Sequence, residues 1–465
     1  MPSDTHTPAG DPRDPSAPRV PPTAPVPERA PSPDPSGLPA LRDQTRSAAR
    51  GYSAVFAVRE FRAVFAAHLL SLLGVVVSEI ALTVLVYDLT GSPLLSSLTF
   101  ALGFLPYLVG GTLFASVADR YPARRVLVGC DLLCALCAAG MVLPVTPVAG
   151  LLALRCLIAA VSPVFTGTRM AALTDVLGDG ELYVLGRSLL RLVSQSAVLT
   201  GFGAGGVLLT VVSPRGALTV TVVTFLCSAT LLRFGTRHRP ARTGTDGTSA
   251  ALLRDSFAGA RRVLADRRTR ALLLLFWLPA FFVVAPEALA APYADAIGAG
   301  PAALGLLMCA MPVGHIAAEL YVGTALGPRL RSRIVLPVAA VGLLPFLVYG
   351  FRPGLVPAVA ALVLAGAGAA YNIGLDQWFV DAVPEELRGR AMTLLTAGLM
   401  TIQGAGMALA GLAAEFLPVH QVVLAAGIAG TLCTLLLVRE ARATAPERGP
   451  GTERRDGSGR LGATG

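Results

Sequence analysis

The sequence predicts an all-α integral membrane protein, with twelve transmembrane helices in two pseudo-symmetric six-helix bundles. Three observations support this fold class: a high apolar content, long uncharged stretches, and arginines confined to alternate joints. Of 465 residues, 54% are apolar and only 14% are charged, whereas a soluble domain carries about a quarter charged residues. The uncharged stretches are about 20 residues long, which is the length a helix needs to cross a bilayer.

Hydropathy along the chain places twelve membrane spans. They lie near 62–87, 93–117, 126–145, 148–173, 185–212, 215–234, 270–294, 301–326, 333–351, 354–380, 391–414 and 418–438. Each predicted span is separated from the next by a short polar or glycine/proline-containing joint, except between the sixth and seventh spans, where the joint is long.

The joints alternate in charge along the chain. One set holds only Arg215 and Arg352. By the positive-inside rule, the other, basic set and both chain termini are predicted to be cytoplasmic. The basic set comprises Arg120, Arg124, Arg125, Arg187, the run from Arg233 to Arg270, Arg329, Arg331, Arg333, Arg388 and Arg390. The net charge of +9 is therefore a topology signal, and we expect a lipid bilayer rather than nucleic acid as the partner of these arginines.

Several soluble-enzyme chemistries are excluded by composition and context. The chain has no lysine, so it lacks the lysine of a P-loop ATPase or of a Schiff base. The segment GFGAGG at 201–206 has no preceding strand and no acidic residue about twenty positions later, which argues against dinucleotide binding. Cys130, Cys134 and Cys137 form one stripe of a membrane helix, where packing is the simpler role. We predict no enzyme activity, no cofactor and no metal site.

Composition also divides the chain into regions. Residues 1–55, rich in proline, serine and aspartate, and residues 439–465 are predicted to be cytoplasmic tails, the first of them disordered. Residues 56–234 and 270–438 are predicted to form the two six-helix bundles, with residues 235–269 as a basic cytoplasmic linker. We expect a monomer in the cell membrane, and the arginine-only, GC-type composition suggests a bacterial source.

An internal repeat supports the division into two bundles. A shift of 208 residues superimposes several features without a gap. These pairs are Arg62 with Arg270, Glu79 with Glu287, Pro93 with Pro301, Ala115 with Gly323 and Arg125 with Arg333. Two related sets of six spans fit a parallel repeat about an axis along the membrane normal, with a binding site between the halves.

The joint after the second span, ASVADRYPARR at 115–125, resembles the loop signature G-x-x-x-D-R-x-G-R-R-R of the major facilitator superfamily. Ala115 and Pro122 stand where that signature has glycine. The matching positions are Asp119, Arg120, Arg124 and Arg125. The arginines anchor a cytoplasmic joint to water and anionic head groups, but acids contribute little to orientation, so Asp119 needs another role. The resemblance implies that it belongs to a charge relay that gates the two halves; plain anchoring is the alternative.

Further segments extend the resemblance over about residues 52–440. LALRCLIAA in the fourth span is similar to a second family signature, with Arg155 as its arginine. GFGAGG resembles the fifth-span motif G-P-x-x-G-G of proton-coupled antiporters, with Phe202 in place of proline; we expect Gly201, Gly205 and Gly206 to allow close helix packing. VPEELRGRAM at 383–392 is similar to the joint before the eleventh span. The resemblance implies a proton-coupled drug or siderophore exporter.

Ionisable residues inside spans are rare and usually line a cavity, so they provide the candidate site. In the resembled fold, spans 1, 4, 7 and 10 line the central cavity. The candidate residues on those spans are Glu79, Arg155, Glu287, Asn372 and Asp376. We expect Asn372 and Asp376 to line the cavity. Asp131 in the third span and Asp376 are further candidates for proton coupling.

Three of these residues are predicted to lie at one membrane depth. Glu79 precedes the outer end of its span by about eight residues, or roughly 12 Å, and Arg155 and Glu287 fall nearly level with it. Burial favours a protonated carboxyl group and a neighbouring arginine favours an ionised one, so a small movement could switch protonation. A static buried salt bridge between Glu79 and Arg155 is the alternative.

Three functions remain compatible with the sequence. The first is secondary active transport, namely proton-coupled efflux of small amphipathic organic molecules by alternating access. The second is import or facilitated passage of a metabolite on the same scaffold. The third is a membrane sensor or scaffold without transport, which the membrane acids and the charged joint disfavour.

Overall fold

The computed structural model describes residues 53–105, 121–178, 181–237, 239 and 261–444. Across these ranges the chain is helical between its turns, and no strand occurs in them. Eleven described segments are long and apolar enough to cross a membrane, and a shorter apolar helix lies at the position of the predicted second span. The predicted fold class is therefore confirmed. Most of the predicted tails and linker, together with Asp119 and Arg120, lies outside the described residues.

The first half of the chain contributes six helices. Two of them, α2 and α6, begin after a serine whose hydroxyl accepts a backbone N–H, at Ser92 and Ser213, and each has proline in its first turn. Both features favour a helix start. The helices are α1 Arg59–Thr90, α2 Pro93–Phe104, α3 Ala123–Val142, α4 Val148–Leu177, α5 Glu181–Val211 and α6 Pro214–Gly235.

The second half contributes the remaining helices. They are α7 Arg267–Val283, α8 Ala285–Ala288, α9 Ala290–Ala296, α10 Pro301–Ala325, α11 Pro328–Val341, α12 Leu355–Gly368, α13 Tyr371–Ala382, α14 Arg388–Ala414 and α15 Val419–Ala443. Short 3₁₀ helices at Leu344–Phe351 and Glu385–Leu387 follow α11 and precede α14.

Three predicted spans are interrupted, which the sequence analysis did not anticipate. The seventh span divides into α7, α8 and α9, where Pro286 and Pro292 cannot donate the backbone hydrogen bond of a continuous helix. The ninth span ends as a 3₁₀ helix. The tenth breaks between α12 and α13, next to Gly366 and Gly368, which approach the backbone of neighbouring helices. Glu287 consequently lies on the four-residue helix α8 between two breaks.

The two halves show the repeat that the sequence predicted. Helices α1 and α7 begin at Arg59 and Arg267, and helices α2 and α10 begin at Pro93 and Pro301. Both pairs of starts are separated by the predicted 208 residues. The halves differ at the two equivalent glutamates. Helix α1 runs unbroken past Glu79, whereas the equivalent segment of the second half is broken around Glu287.

The two halves meet near one end of the molecule. We call the end that carries the joints with Arg124, Arg329 and Arg388 the arginine-rich end, and the opposite end the arginine-poor end. In the described residues, every hydrogen bond between the halves lies in the arginine-poor part of the bundle. These bonds join Tyr87 to Asp295 (3.3 Å), the hydroxyl of Ser92 and the backbone N–H of Leu94 (3.0 Å) to Glu415, and Cys309 to the carbonyl of Leu199 (3.3 Å).

Glycines allow close approach between the halves at two places. A Cβ atom at Gly206 of α5 would lie 2.5 Å from the Cα atom of Gly305 of α10. Similarly, a Cβ at Gly411 of α14 would overlap the Ser97 hydroxyl of α2. Small residues let helices pack at short range inside a bilayer, where van der Waals contact is a principal source of association.

Burial of apolar side chains follows the same pattern. Near the arginine-poor end, buried apolar residues from both halves form one cluster, which includes Ile80, Phe100, Leu289 and Met407. Near the arginine-rich end, each half has separate clusters of its own. The described molecule is therefore closed at the arginine-poor end and parted at the arginine-rich end.

The predicted topology leads to a labelling experiment on exposed side chains. Single cysteines at Val145 (83% exposed) and Phe351 (88%) of the arginine-poor end are expected to react with an impermeant maleimide added to intact cells. A cysteine at Phe234 (81%) of the arginine-rich end should react only after permeabilisation. All three are placed in a cysteine-free background, and the reverse pattern would contradict a cytoplasmic arginine-rich end.

Candidate functional site

A buried ion pair joins α1 to α4 inside the first half. The Arg155 guanidinium donates through Nη2 to Glu79 Oε1, and the two side chains are 3% and 17% exposed. Arg155 Nε also donates to the carbonyl oxygen of Thr99 on α2, at 3.2 Å. The pairing places a carboxylate and a guanidinium at one depth, as the sequence analysis expected of these two residues.

Gly103 of α2 provides the space that the ion pair occupies. A Cβ atom there would lie 2.4 Å from Arg155 Nη2 and 3.4 Å from Glu79 Oε1. Because the guanidinium is also fixed to Thr99, it has little freedom to retreat. Gly103 was not among the site residues that the sequence analysis identified.

Gly103→Ala is expected to displace the Glu79–Arg155 pair and to destabilise the folded protein by about 1–3 kcal/mol, the usual cost of overpacking. The matched control is Gly129→Ala, since no atom lies within 4 Å of a Cβ at that exposed helical position. Alanine should stabilise helix α3 there, by up to about 1 kcal/mol. Thermal unfolding of the purified variants measures both effects, and equal unfolding temperatures would contradict the role given to Gly103.

Glu287 lines a cavity of about 340 Å³. Most of its wall comes from the second half, and Gln195 and Val198 of α5 in the first half also line it. Glu287 has no ion pair within the described ranges, although it lies in electrostatic range of Glu79. The same cavity is lined by Asn372, whose Oδ1 is buried without a described hydrogen-bond partner, and by Gln403. His315 also lines it and contacts Glu319 at 3.0 Å. Most other lining side chains are apolar, so the cavity suits an organic molecule with few polar groups.

The other two acidic candidates lie elsewhere. Asp131 of α3 is fully buried and accepts hydrogen bonds from the hydroxyls of Ser71 (2.9 Å) and Ser228 (2.5 Å), so it links α1, α3 and α6. Asp376 of α13 is exposed and lies one turn after Asn372. The structure therefore brings Glu79 and Arg155 into contact and places Glu287 nearby, but Asp131 and Asp376 belong to separate surroundings.

A second cavity, of about 290 Å³, lies within the first half. Arg169 of α4 lines it and is only 5% exposed, yet the sequence analysis did not single it out. A signal was present in the sequence: Arg169 follows Arg155 by 14 residues, which returns a helix to nearly the same face. Arg187 and Arg191 of α5 line the same cavity.

The predicted gating joint is only partly described. Arg124 donates to the carbonyl of Thr236 at 3.1 Å, which fixes the start of α3 to the end of α6, and Arg125 is exposed. Of the predicted packing glycines, Gly201 and Gly205 face α1, where added Cβ atoms would meet Val76 and Ile80. Gly206 alone faces the other half, at Gly305.

A repeat of two helical bundles, cavities lined by ionisable groups, and closure at one end are together typical of a membrane transporter. The chain belongs to the Major Facilitator Superfamily, whose sequence model matches residues 64–289 and 280–462. This identifies the resemblance seen in the sequence signatures as true membership of the family.

Individual relatives agree with this assignment. Macrolide efflux protein A of Streptococcus pyogenes is 33% identical over 86 residues, which is 18% of this chain and 21% of that protein. The chain thus aligns with about a fifth of the length of this curated relative. Among solved structures, a POT family transporter in complex with a thioalcohol conjugated peptide matches with a TM-score of 0.63 at 12% identity, covering 83% of this chain and 96% of the other. A mutant of the nucleoside transporter NupG matches with a TM-score of 0.61 at 15% identity, covering 82% of this chain and 99% of the other. At these identities the likeness shows the fold.

Proposed function

We propose that the protein is a proton-coupled exporter of small amphipathic organic molecules that works by alternating access. The observation that carries this proposal is the buried Glu79–Arg155 pair, with the unpaired Glu287 carboxyl in electrostatic range. Ionisable groups at membrane depth are costly and usually belong to an ion or substrate pathway. A purely structural role would be served as well by apolar side chains.

Glu79 is the proton carrier in this scheme. In the described state, Arg155 stabilises the ionised carboxylate. A movement of α1 relative to α4 that separates the two side chains would leave a carboxyl group that binds a proton more readily. Because the proton then binds one state better than the other, its gradient shifts the equilibrium between them.

The other candidate acids, Glu287, Asp376 and Asp131, are assigned secondary roles. Glu287 lines the cavity of about 340 Å³ and lies in electrostatic range of Glu79, so it is the second candidate for binding the proton. Asp376, at the parted end, is a further candidate for a proton's path to water. Asp131 is held by two serine hydroxyls, an arrangement that supports packing of α1, α3 and α6 more directly than proton movement.

Gating is assigned to two features. Gly201, Gly205 and Gly206 allow α5 to pack closely on α1 and α10, so that the arginine-poor end closes. The joint with Asp119, Arg120, Arg124 and Arg125 is proposed to hold the arginine-rich ends of the two halves together in the opposite state. Under the predicted topology, the described state faces the cytoplasm, which is the side from which an exporter takes its substrate.

The direction of transport rests on the partial likeness to a macrolide efflux protein, and that relative's source supports a bacterial cell membrane. Transport of the protein in proteoliposomes under an imposed pH gradient tests the proposal. A macrolide, a dipeptide, a nucleoside and an anionic amphiphile serve as probes. If a pH gradient that is acidic on the arginine-poor side drives the probe to accumulate on that same side, the result supports proton-coupled export. Accumulation in the opposite sense, or movement only down the probe's own gradient, would favour the importer or facilitator.

A further inference from the structure

The cavity of the first half is lined by three arginines, of which Arg169 lies in electrostatic range of Asp131 and Arg191 in that of Asp376. Arg169, Arg187 and Arg191 all line it, and none of them has an ion pair within 4.0 Å among the residues described. Asp131 also lines this cavity, but its oxygens accept hydrogen bonds from Ser71 and Ser228 instead. Arginine inside a membrane normally pairs with an acid, a carbonyl or a ligand, because its charge is expensive there.

Arg169 is held in a fixed orientation. Its Nη1 donates to His68 Nδ1, and because a guanidinium has no acceptor, this nitrogen of the imidazole must accept. The other nitrogen of His68, Nε2, then carries the hydrogen and donates to Ser194 Oγ at 3.0 Å. The Phe165 ring stacks on the guanidinium, with its centroid 4.1 Å from Cζ.

One nitrogen of this fixed guanidinium remains unused. Arg169 Nη2 is buried and has no hydrogen-bond partner in the described part of the chain. Arg187 and Arg191, one turn apart on α5, present two further guanidinium groups to the same cavity. A planar, always charged fork of donors is suited to a carboxylate or phosphate.

We propose that this cavity binds the anionic group, a carboxylate or phosphate, of an amphipathic molecule. The charged group lies among Arg169, Arg187 and Arg191, and the apolar part lies against the wall that includes Ile158 and Phe225. The proposal rests on the proposed function only in treating this molecule as the transported substrate. A bound lipid head group has the same chemistry and is the other source of the anion.

Binding to the purified full-length protein tests the proposal without requiring proton coupling. In nanodiscs of zwitterionic lipid, dodecyl phosphate and dodecanoate are expected to bind, whereas dodecyltrimethylammonium and dodecanol should bind about tenfold or more weakly. Arg169→Gln and Arg191→Gln should each raise the Kd of the anionic probes about tenfold. Arg191→Gln guards against a folding defect, because Arg191 is exposed on α5.

Arg329 is an exposed arginine outside the cavity. Its variant Arg329→Gln is the control and should leave these Kd values unchanged.

Nanodiscs that contain anionic phosphatidylglycerol distinguish the two sources of the anion. Loss of probe binding there, restored by zwitterionic lipid, identifies a lipid head group as the anion; unchanged binding identifies a free substrate. Equal binding of anionic and cationic probes, or unchanged Kd values in both cavity variants, would overturn the anion site. Failure of proton-driven transport with anion binding intact would instead count against the proposed function alone.

Discussion

Glu79→Gln is expected to reduce transport driven by a pH gradient to the level of protein-free liposomes, while substrate exchange down its own gradient persists. The neutral side chain cannot release a proton, but it occupies the same volume beside Arg155, so the cavities and their apolar walls survive. Uptake under an imposed pH gradient and counterflow without one measure the two activities in the same proteoliposomes.

Two further variants make this experiment decisive. Glu440→Gln removes an exposed carboxylate paired with Arg267 at the arginine-rich end and should retain both activities. Glu287→Gln should be better tolerated than Glu79→Gln, because Glu287 has no arginine partner in the described ranges. If proton-driven transport persists in both the Glu79 and Glu287 variants, the proton is carried elsewhere and Asp131 and Asp376 become the next candidates.

Gly206→Ala is expected to hold the arginine-poor end open. The new Cβ would lie 2.5 Å from Gly305 Cα and 2.9 Å from its backbone nitrogen, and backbone atoms cannot move aside as a side chain can. An overpacking cost of about 1–3 kcal/mol would fall on the closed state. That cost shifts the equilibrium toward the open state by about 5- to 150-fold, and transport should fall because the cycle requires closure.

Gly203→Ala, in the same segment, is the matched control, since its Cβ would meet only Cys309 Sγ at an ordinary 3.5 Å. Spin labels on cysteines at Leu89 and Phe416, which are exposed on the two halves near the arginine-poor end, report the opening by electron–electron double resonance. A longer distance in Gly206→Ala and an unchanged one in Gly203→Ala are expected. Identical distances in the two variants would contradict the role proposed for the contact between Gly206 and Gly305.

The span count and the repeat were predictable because membrane helices follow a simple length and polarity rule. The pairing of Glu79 with Arg155 was also anticipated, since depth can be counted along helices whose ends are marked by arginine. The breaks around Glu287 were missed, because hydropathy is insensitive to a missing backbone hydrogen bond, although Pro286 and Pro292 were visible in the sequence.

The contributions of Gly103 and Arg169 depend on contacts between distant helices. Gly103 matters only because α2 passes beside the ion pair at that height, which no local pattern on α2 reveals. Arg169 was not among the candidate residues predicted from the sequence. Its 14-residue spacing from Arg155 could have placed it on the inner face of α4. Its contacts with His68 and Phe165 could be seen only in the folded structure.

The glycine contacts between the halves, at Gly206 with Gly305 and at Gly411 with Ser97, have an energetic consequence for how the protein responds to its surroundings. In alternating access, one end of the molecule closes as the other opens, so apolar surface buried at one end is offset by apolar surface exposed at the other. The difference between the two states then depends on many weak dispersion contacts. The open and closed forms are therefore expected to be nearly equal in free energy, so that one proton, worth about 1.4 kcal/mol per pH unit, suffices to select between them. For the same reason, bilayer thickness and lateral pressure should alter the balance more than salt does, because screening acts on exposed charges and leaves van der Waals contact unaffected.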